Sequence, residues 1–324
     1  MTSALELSGV TKRFGNHVAV NDISFAVPRG VVYGILGPNG AGKSTTLRMI
    51  NDIIAPDAGT ITVLDTMTPG SAAAQKIGYL PEERGLYPKM KVGEIVEFMG
   101  ELRGLSRAEA RKRGGAWLER LGLSKWLDNK VQDLSKGMQQ KVQFATALLH
   151  EPEIVILDEP WSGLDPVNAD VLRDTVSEIR AAGRTVLFST HQMEQAEKIV
   201  DAFCIIARGE MLLDGKLRDI KEHWSADGWI ALAFDGEAAK VTATPILANA
   251  ALIGAQRAAS NNDRVDMEVR PASGVATQQI LSALVTAGVA LRTFEVVVPS
   301  LHDIFVAKVG PQAAVAERVE EGAA

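Results

Sequence analysis

Several stretches of the chain are continuously apolar over strand length: Val31–Leu36, Ile154–Leu157, the residues leading into "VLFSTHQ", and "FCIIA" from Phe203. Short runs of this kind, rich in β-branched residues, predict strands covered on both faces, as in a parallel sheet. Near the N-terminus "ALELSGV" and "VAVNDISFAV" mix apolar and polar positions and predict edge strands. From about 81 to 150 the pattern changes. Charge alternates with apolar residues, as in "VGEIVEFMGELRGL" and "RAEARKRGGAWLERLGL", which predicts a helical insert. Within it Met138, Val142, Ala145 and Leu149 recur at helical spacing behind Ser135, a residue suited to an N-cap, and Pro152 stops the helix beyond His150. Taken alone this is an ordinary amphipathic helix. After about 225 alanine and valine dominate. There "WIALAF", "RVDMEVR" and "ALRTFEVVV" predict strands, with "ATQQILSALVTAG" as a helix between the last two. That order fits a small α+β domain built on a split βαβ unit. The tail over 311–324 reads as disordered.

Composition narrows the function classes. At 324 residues the chain can hold two domains and cores that need no cross-links. A net charge of -6 creates no global attraction to nucleic acid or to an anionic membrane. The Arg107–Arg113 cluster is interleaved with Glu109 and followed by Glu119, so it predicts a solvated helix face and no nucleic-acid partner. The single cysteine, Cys204, excludes a disulfide framework and a multi-cysteine metal centre. The first residues carry charge early and lack a signal-peptide core, and no stretch reaches the roughly 18 apolar residues of a membrane span. These features lead us to expect a soluble, cytoplasmic chain.

The candidate chemistry lies where the apolar runs end. "GPNGAGKST", Gly37 to Thr45, follows the first of them and opens "KSTTLRMI", which reads as a helix. Gly37, Gly42, Lys43 and Ser44 meet the spacing G-x-x-x-x-G-K-[ST] of a phosphate loop. Glycines let backbone N–H groups turn toward an anion, the helix N-terminus faces the phosphates, Lys43 bridges the outer ones, and Ser44 offers a hydroxyl to Mg²⁺. The alternative, a chance Gly-rich turn, does not account for this strand–loop–helix context. "EIVILDEP" sets Asp158 and Glu159 at the end of the second run, where ligands of an open α/β sheet collect. One carboxylate can hold Mg²⁺ and the next can polarise an attacking water. Two carboxylates merely capping a strand is the bland alternative, and the "PWSGLDP" that follows weighs against it.

Taken together, these residues resemble the ATP-binding subunit of an ABC transporter over roughly residues 4 to 222. Five motifs follow in the family's order: the phosphate loop, Leu134-Ser135-Lys136-Gly137-Met138 in place of the signature L-S-G-G-Q, the strand-end carboxylates, "SGLD" from Ser162 to Asp165, and His191. The resemblance implies ATP and Mg²⁺ as ligands, with Gly37, Pro38, Asn39, Gly40, Ala41, Gly42, Lys43, Ser44 and Thr45 around the phosphates. It implies Ser44 and Asp158 at the metal, Glu159 as the base, His191 at the γ-phosphate or attacking water, and Asp165 among the nucleotide contacts. Phe14, in "TKRFG", matches the aromatic that stacks on adenine; its alternative is a small satellite core. Glu82, in "IGYLPEERGLY", stands where the family has a glutamine near the metal. The alternative is a solvent-facing residue, or one paired with Arg84. Lys136 and Met138 depart from the signature without removing a charged ligand, and His17, His150, His223 and His302 receive no role. The resemblance also implies a head-to-tail homodimer in the ATP-bound state, with Ser135 and Gly137 of one copy reaching the phosphate held by Lys43 of the other.

We therefore expect a P-loop NTPase of the ABC ATPase type: α/β, with an antiparallel β edge and a helical insert, spanning 1–224. A small α+β C-terminal domain over 225–310 follows. Its stretch "LRTFEVVVPSLHDIFVAKVG" resembles the C-terminal domain of sodium- and drug-exporter-type ATPases. The expected partner is a separate membrane permease beside the helical insert. The expected function is to power export of an ion or small solute, as a peripheral subunit on the cytoplasmic face of the cell membrane. A soluble ABC-type ATPase acting on ribosomes or DNA is the alternative; a single ATPase unit and no sustained heptads favour transport.

Overall fold

The computed structural model describes residues 3–67, 71–83, 85–225, 228–258 and 265–310. Arg84, considered above as a partner for Glu82, and the tail from 311 lie outside the described residues. The chain divides into two compact units, one of residues up to Leu217 with the chain from Phe305, the other Arg218–Ile304. That division precedes the boundary near 225 suggested by composition.

The first unit contains β1 (Ser3–Phe14), β2 (His17–Pro28), β3 (Val32–Leu36), β4 (Ala58–Val63), β5 (Thr66–Met67), β6 (Ile77–Leu80), β7 (Ile154–Asp158), β8 (Thr185–Thr190), β9 (Ala202–Ala207) and β10 (Glu210–Lys216). An antiparallel sheet in the order β2-β1-β4-β5 forms the edge layer. A six-stranded sheet in the order β10-β9-β3-β8-β7-β6 forms the centre; all its pairs are parallel except β10 with β9. Every residue of β3, β7, β8 and β9 is buried. A strand covered on both faces has no polar side to display, which is why these segments read as apolar runs rather than alternations.

The order of strands gathers the site. β3 lies beside β8, although β6 and β7 come between them in the chain. Leu36 pairs with Thr190, and Asp158 pairs with Ser189, so β3, β8 and β7 end level with one another. The residues that follow, Gly37, His191 and Glu159, therefore meet at the C-terminal edge of the sheet, where ligands of such sheets bind.

Between β6 and β7 lies the insert, with helices Val92–Leu102, Arg107–Arg120 and Lys136–Leu148. Glu97, a buried carboxylate on the first, accepts from Arg107 at 2.7 Å and Arg111 at 2.5 Å on the second. Ser135 caps the third, its hydroxyl accepting from the Met138 N–H at 3.3 Å, as the sequence predicts. On that helix Val142 and Ala145 are buried, and so is Gln140, whose amide donates to the Pro160 carbonyl at 3.0 Å.

In the second unit the chain runs β11 (Ile230–Phe234), helix Glu237–Leu247, β12 (Ile253–Ala258), β13 (Met267–Pro271), helix Thr277–Thr286 and β14 (Leu291–Val296). The sheet is antiparallel throughout, in the order β12-β13-β11-β14. β13 thus splits the unit from β11 to β12, and β11 splits the unit from β13 to β14: two interleaved split βαβ units. Ile230, Leu232, Phe234, Val269, Ile280 and Leu284 fill its core. The sequence pattern predicts neither helix Glu237–Leu247 nor β12. The helix contains Pro245, while β12 is an edge strand with one β-branched residue and a glycine. Among the described residues no helix is long and apolar enough to cross a membrane.

Candidate functional site

The phosphate loop continues β3. The Gly37 N–H donates to the Thr190 carbonyl at 3.3 Å, and the chain then turns through Gly40 (φ +74°) and Gly42 (φ +105°) into helix Lys43–Ile50. Two glycines are required for different reasons. A Cβ on Gly42 would collide with the Ala19 carbonyl of β2, at a φ that other residues avoid; one on Gly37 would overlap the Ile206 carbonyl of β9. Asn39 to Thr45, with Phe14, His17, Ala19, Glu82 and Glu159, line an open cleft of about 370 Å³. The helix N-terminus directs unsatisfied N–H groups and positive partial charge into this space. Lys43 is buried beneath it. Its ammonium donates to the carbonyls of Gly37 (2.8 Å) and Pro38 (3.1 Å) and pairs with Glu159 Oε1 at 3.2 Å.

Asp158 closes β7. Its Oδ1 accepts from Ser44 at 3.0 Å and Ser189 at 2.5 Å, while its Oδ2 is buried with no hydrogen-bond partner. Such an oxygen costs free energy until a donor or cation takes it. Burial raises the Asp158 carboxyl, against the hydroxyls of Ser189 and Ser44. Hydroxyl and carboxylate oxygens from Ser44, Asp158 and Glu82 are the donor type that Mg²⁺ prefers. Among the described residues no three His, Cys, Asp or Glu side chains are grouped as a metal cage.

Glu159, one residue on, has φ +45°, in the left-handed region. Its N–H donates to the Ser189 carbonyl (3.1 Å) and hydroxyl (3.2 Å). Lys43 and His191 Nδ1 (3.0 Å) both face Oε1, and Oε2 accepts from the Thr190 hydroxyl at 3.0 Å. Burial works to raise the Glu159 carboxyl, but the His191 hydrogen bond and the Lys43 charge outweigh it and hold the group below its usual range. Glu82, an exposed residue at the edge of the cleft, shifts the other way, raised by partial desolvation and then by the charges of Asp158 and Glu159.

Phe14 is 51% exposed at the cleft, with Lys12 Nζ 5.6 Å from its ring centre, so it is not packed in a satellite core. Ser135, Gly137 and Asp165 are not among the residues lining this cleft. They form a neighbourhood of their own: a Cβ on Gly137 would lie 3.3 Å from the Leu164 side chain, and Asp165 caps helix Pro166–Ala181 by accepting from the Asn168 N–H at 3.0 Å. Sequence reasoning assigns no role to His17, Ala19, Ser189 or Thr190. The first two reach the cleft because β2 passes against Gly42. The other two are hydroxyls that close a buried strand just ahead of His191, and that was the available signal.

Residues 20–162 match the family described as ABC transporter, and residues 215–309 that described as ATP-binding protein DrrA1-3-like, C-terminal domain. Over 306 residues the chain is 39% identical to the uncharacterized ABC transporter ATP-binding protein YhaQ of Bacillus subtilis, covering 94% of this chain and 98% of that relative. The chain belongs to the ATP-binding proteins of ABC transporters. This ABC ATPase is also 38% identical to Nod factor export ATP-binding protein I of Ralstonia nicotianae, over 68% of this chain and 70% of the relative. Among solved structures it resembles a dimeric ATP-binding cassette in a post-hydrolysis state, bound to ADP and Pi, with a TM-score of 0.62 at 26% identity. That likeness covers 66% of this chain and 99% of the other. The larger sheet and its insert are thus the P-loop NTPase fold of an ABC cassette.

Proposed function

We propose that this ABC ATPase binds ATP with Mg²⁺ in the cleft over its phosphate loop, hydrolyses it, and so powers export of an ion or small solute through a separate membrane permease. The observation that carries this reading is the convergence in one cleft of a phosphate loop, a buried lysine and the hydrogen-bonded carboxylate of Glu159, with the unpartnered oxygen of Asp158 buried just behind Ser44 of that loop. Gly37 to Thr45 cradle the phosphates, Lys43 exchanges Glu159 for the outer ones, Thr45 takes the α-phosphate, and Phe14 stacks on adenine. Ser44 and Asp158, with Glu82 alongside, hold Mg²⁺; once bound, the ion offsets the negative charge of the triphosphate. Glu159 accepts the proton of the attacking water, and His191, on the same carboxylate, orients it.

The position of Ser135, Gly137 and Asp165 away from their own chain's cleft supports a head-to-tail homodimer in the ATP-bound state, each copy completing the other's site. The relative named for Nod factor export supports the outward direction. A groove beside the insert, lined by Tyr79, Leu86, Met99, Leu102 and Arg103, would receive the permease on the cytoplasmic face of the membrane. Purification of the tagged chain from detergent-solubilised membranes tests this. An integral membrane protein should accompany it and stimulate its ATPase rate after reconstitution. Recovery with ribosomes or DNA in place of a membrane partner would overturn the transport reading.

A further inference from the structure

We propose that Thr190 is a positioning residue for the base: its hydroxyl anchors Oε2 of Glu159 and thereby leaves Oε1 as the oxygen that takes the proton. The inference rests on the reading of Glu159 as the base. Thr190 is fully buried at the end of β8, where its backbone pairs with Leu36 of β3. Its hydroxyl oxygen accepts from the Gln192 N–H at 3.1 Å. A backbone N–H can only donate, so the hydroxyl's own proton is directed at Glu159 Oε2, 3.0 Å away.

The two carboxylate oxygens are therefore unequal. Oε1 faces Lys43 and His191, the two groups that also serve the phosphates. Oε2 holds Thr190, which has no reason to leave when nucleotide arrives. As Lys43 turns to phosphate, Oε1 loses a donor and opens to water, while Oε2 stays tied. The terminal torsion of a glutamate is broad, so without the second tie the carboxylate would rotate and present either oxygen in many directions. The left-handed φ of Glu159 adds to the need, because a side chain on a strained peptide is held by its surroundings rather than by its own backbone. Ser189 repeats the device one residue earlier: it accepts from the Glu159 N–H and donates to Asp158 Oδ1. Adjacent hydroxyls of one strand thus serve one carboxylate each.

Thr190→Val keeps the shape and removes both the donor to Glu159 and the acceptor of the Gln192 N–H, whereas Thr190→Ser keeps both and removes a methyl group. Steady-state ATP hydrolysis and the affinity for a fluorescent ADP are measured for both, beside wild type and Glu159→Gln. Misplacing a reacting group by a fraction of its working distance lowers kcat roughly ten- to hundredfold, and that loss is expected for Thr190→Val with KM and ADP affinity unchanged. Thr190→Ser should recover most of the rate. A wild-type kcat in Thr190→Val, or equal losses in the Val and Ser variants, would overturn the inference. Should thermal melting show that the Val variant does not fold, Thr190→Ala serves as the donorless protein under the same criteria. Hydrolysis at the wild-type rate by Glu159→Gln would remove the base itself, and this inference with it. An inactive Glu159→Gln beside a fully active Thr190→Val would overturn this inference alone.

Discussion

Lys43 is tied both to Glu159 and to two carbonyls of its own loop, so an alanine there removes more than a phosphate ligand. A charge-assisted hydrogen bond contributes on the order of 1.5–3 kcal/mol, so Lys43→Ala is expected to weaken ATP binding roughly ten- to hundredfold. It also leaves the Glu159 carboxylate buried without its lysine partner, which should lower the melting temperature of the nucleotide-free protein. Nucleotide titration and calorimetry check the two effects separately, and unchanged affinity would take Lys43 out of the site. At Glu82 the issue is like charge. Partial desolvation and the neighbouring carboxylates raise its carboxyl, and in the proposed complex a triphosphate would add to the crowding that Mg²⁺ would relieve. Glu82→Gln is expected to keep hydrolysis and to reach half-maximal rate at a lower Mg²⁺ concentration. Mg²⁺ curves that superimpose would place Glu82 beyond the influence of the metal.

At the scale of elements, the insert depends on how its helices are joined. Arg111 and then Arg107 hold the Glu97 carboxyl below its usual range. A carboxylate whose folded value is depressed stabilises the fold at neutral pH and ceases to do so as the pH falls through that lowered value. Glu97→Gln should therefore speed amide exchange in Arg107–Arg120 at neutral pH, and the variant and wild type should converge in acid. The arginine side chains are 69% and 71% exposed, so the effect is modest and shrinks with added salt. Equal exchange at every pH would show that the clasp does not hold the helices together. The third helix has a different tie, from Gln140 to the carbonyl just past Glu159. It links the helix capped by Ser135 to the loop that follows Glu159.

For the whole molecule, Ser135 and Gly137 do not line the cleft of their own chain, and in the proposed head-to-tail dimer a second copy would supply them. With Glu159 as the proposed base, Glu159→Gln would remove the charge that draws the proton and leave the phosphate loop and Asp158 intact. With Mg²⁺ and ATP this variant should accumulate as a dimer in size-exclusion chromatography, and with ADP it should remain a monomer. A variant that stays monomeric with ATP and still hydrolyses it would mean that the base lies elsewhere.

What the sequence determined by itself was local. The phosphate loop needs only a strand, glycines and a helix start within a few residues, all set by backbone geometry and spacing, so Gly37 to Thr45 were legible at once. Asp158, Glu159 and His191 were legible because each ends a run that could only be a buried strand. Lys43 against Glu159, Thr190 against Oε2 and Ser189 against Asp158 were decided only by tertiary structure. They depend on which strands lie side by side and in what register, and parallel pairing brings together residues far apart in the chain, such as Leu36 with Thr190 and Asp158 with Ser189. Periodicity reports which face of an element is buried, but it carries no information about which neighbour covers that face. Helix Glu237–Leu247 and β12 escaped for a related reason: a proline inside the helix and a glycine in an edge strand weaken the local signal, and packing in the core of the second unit holds them in place.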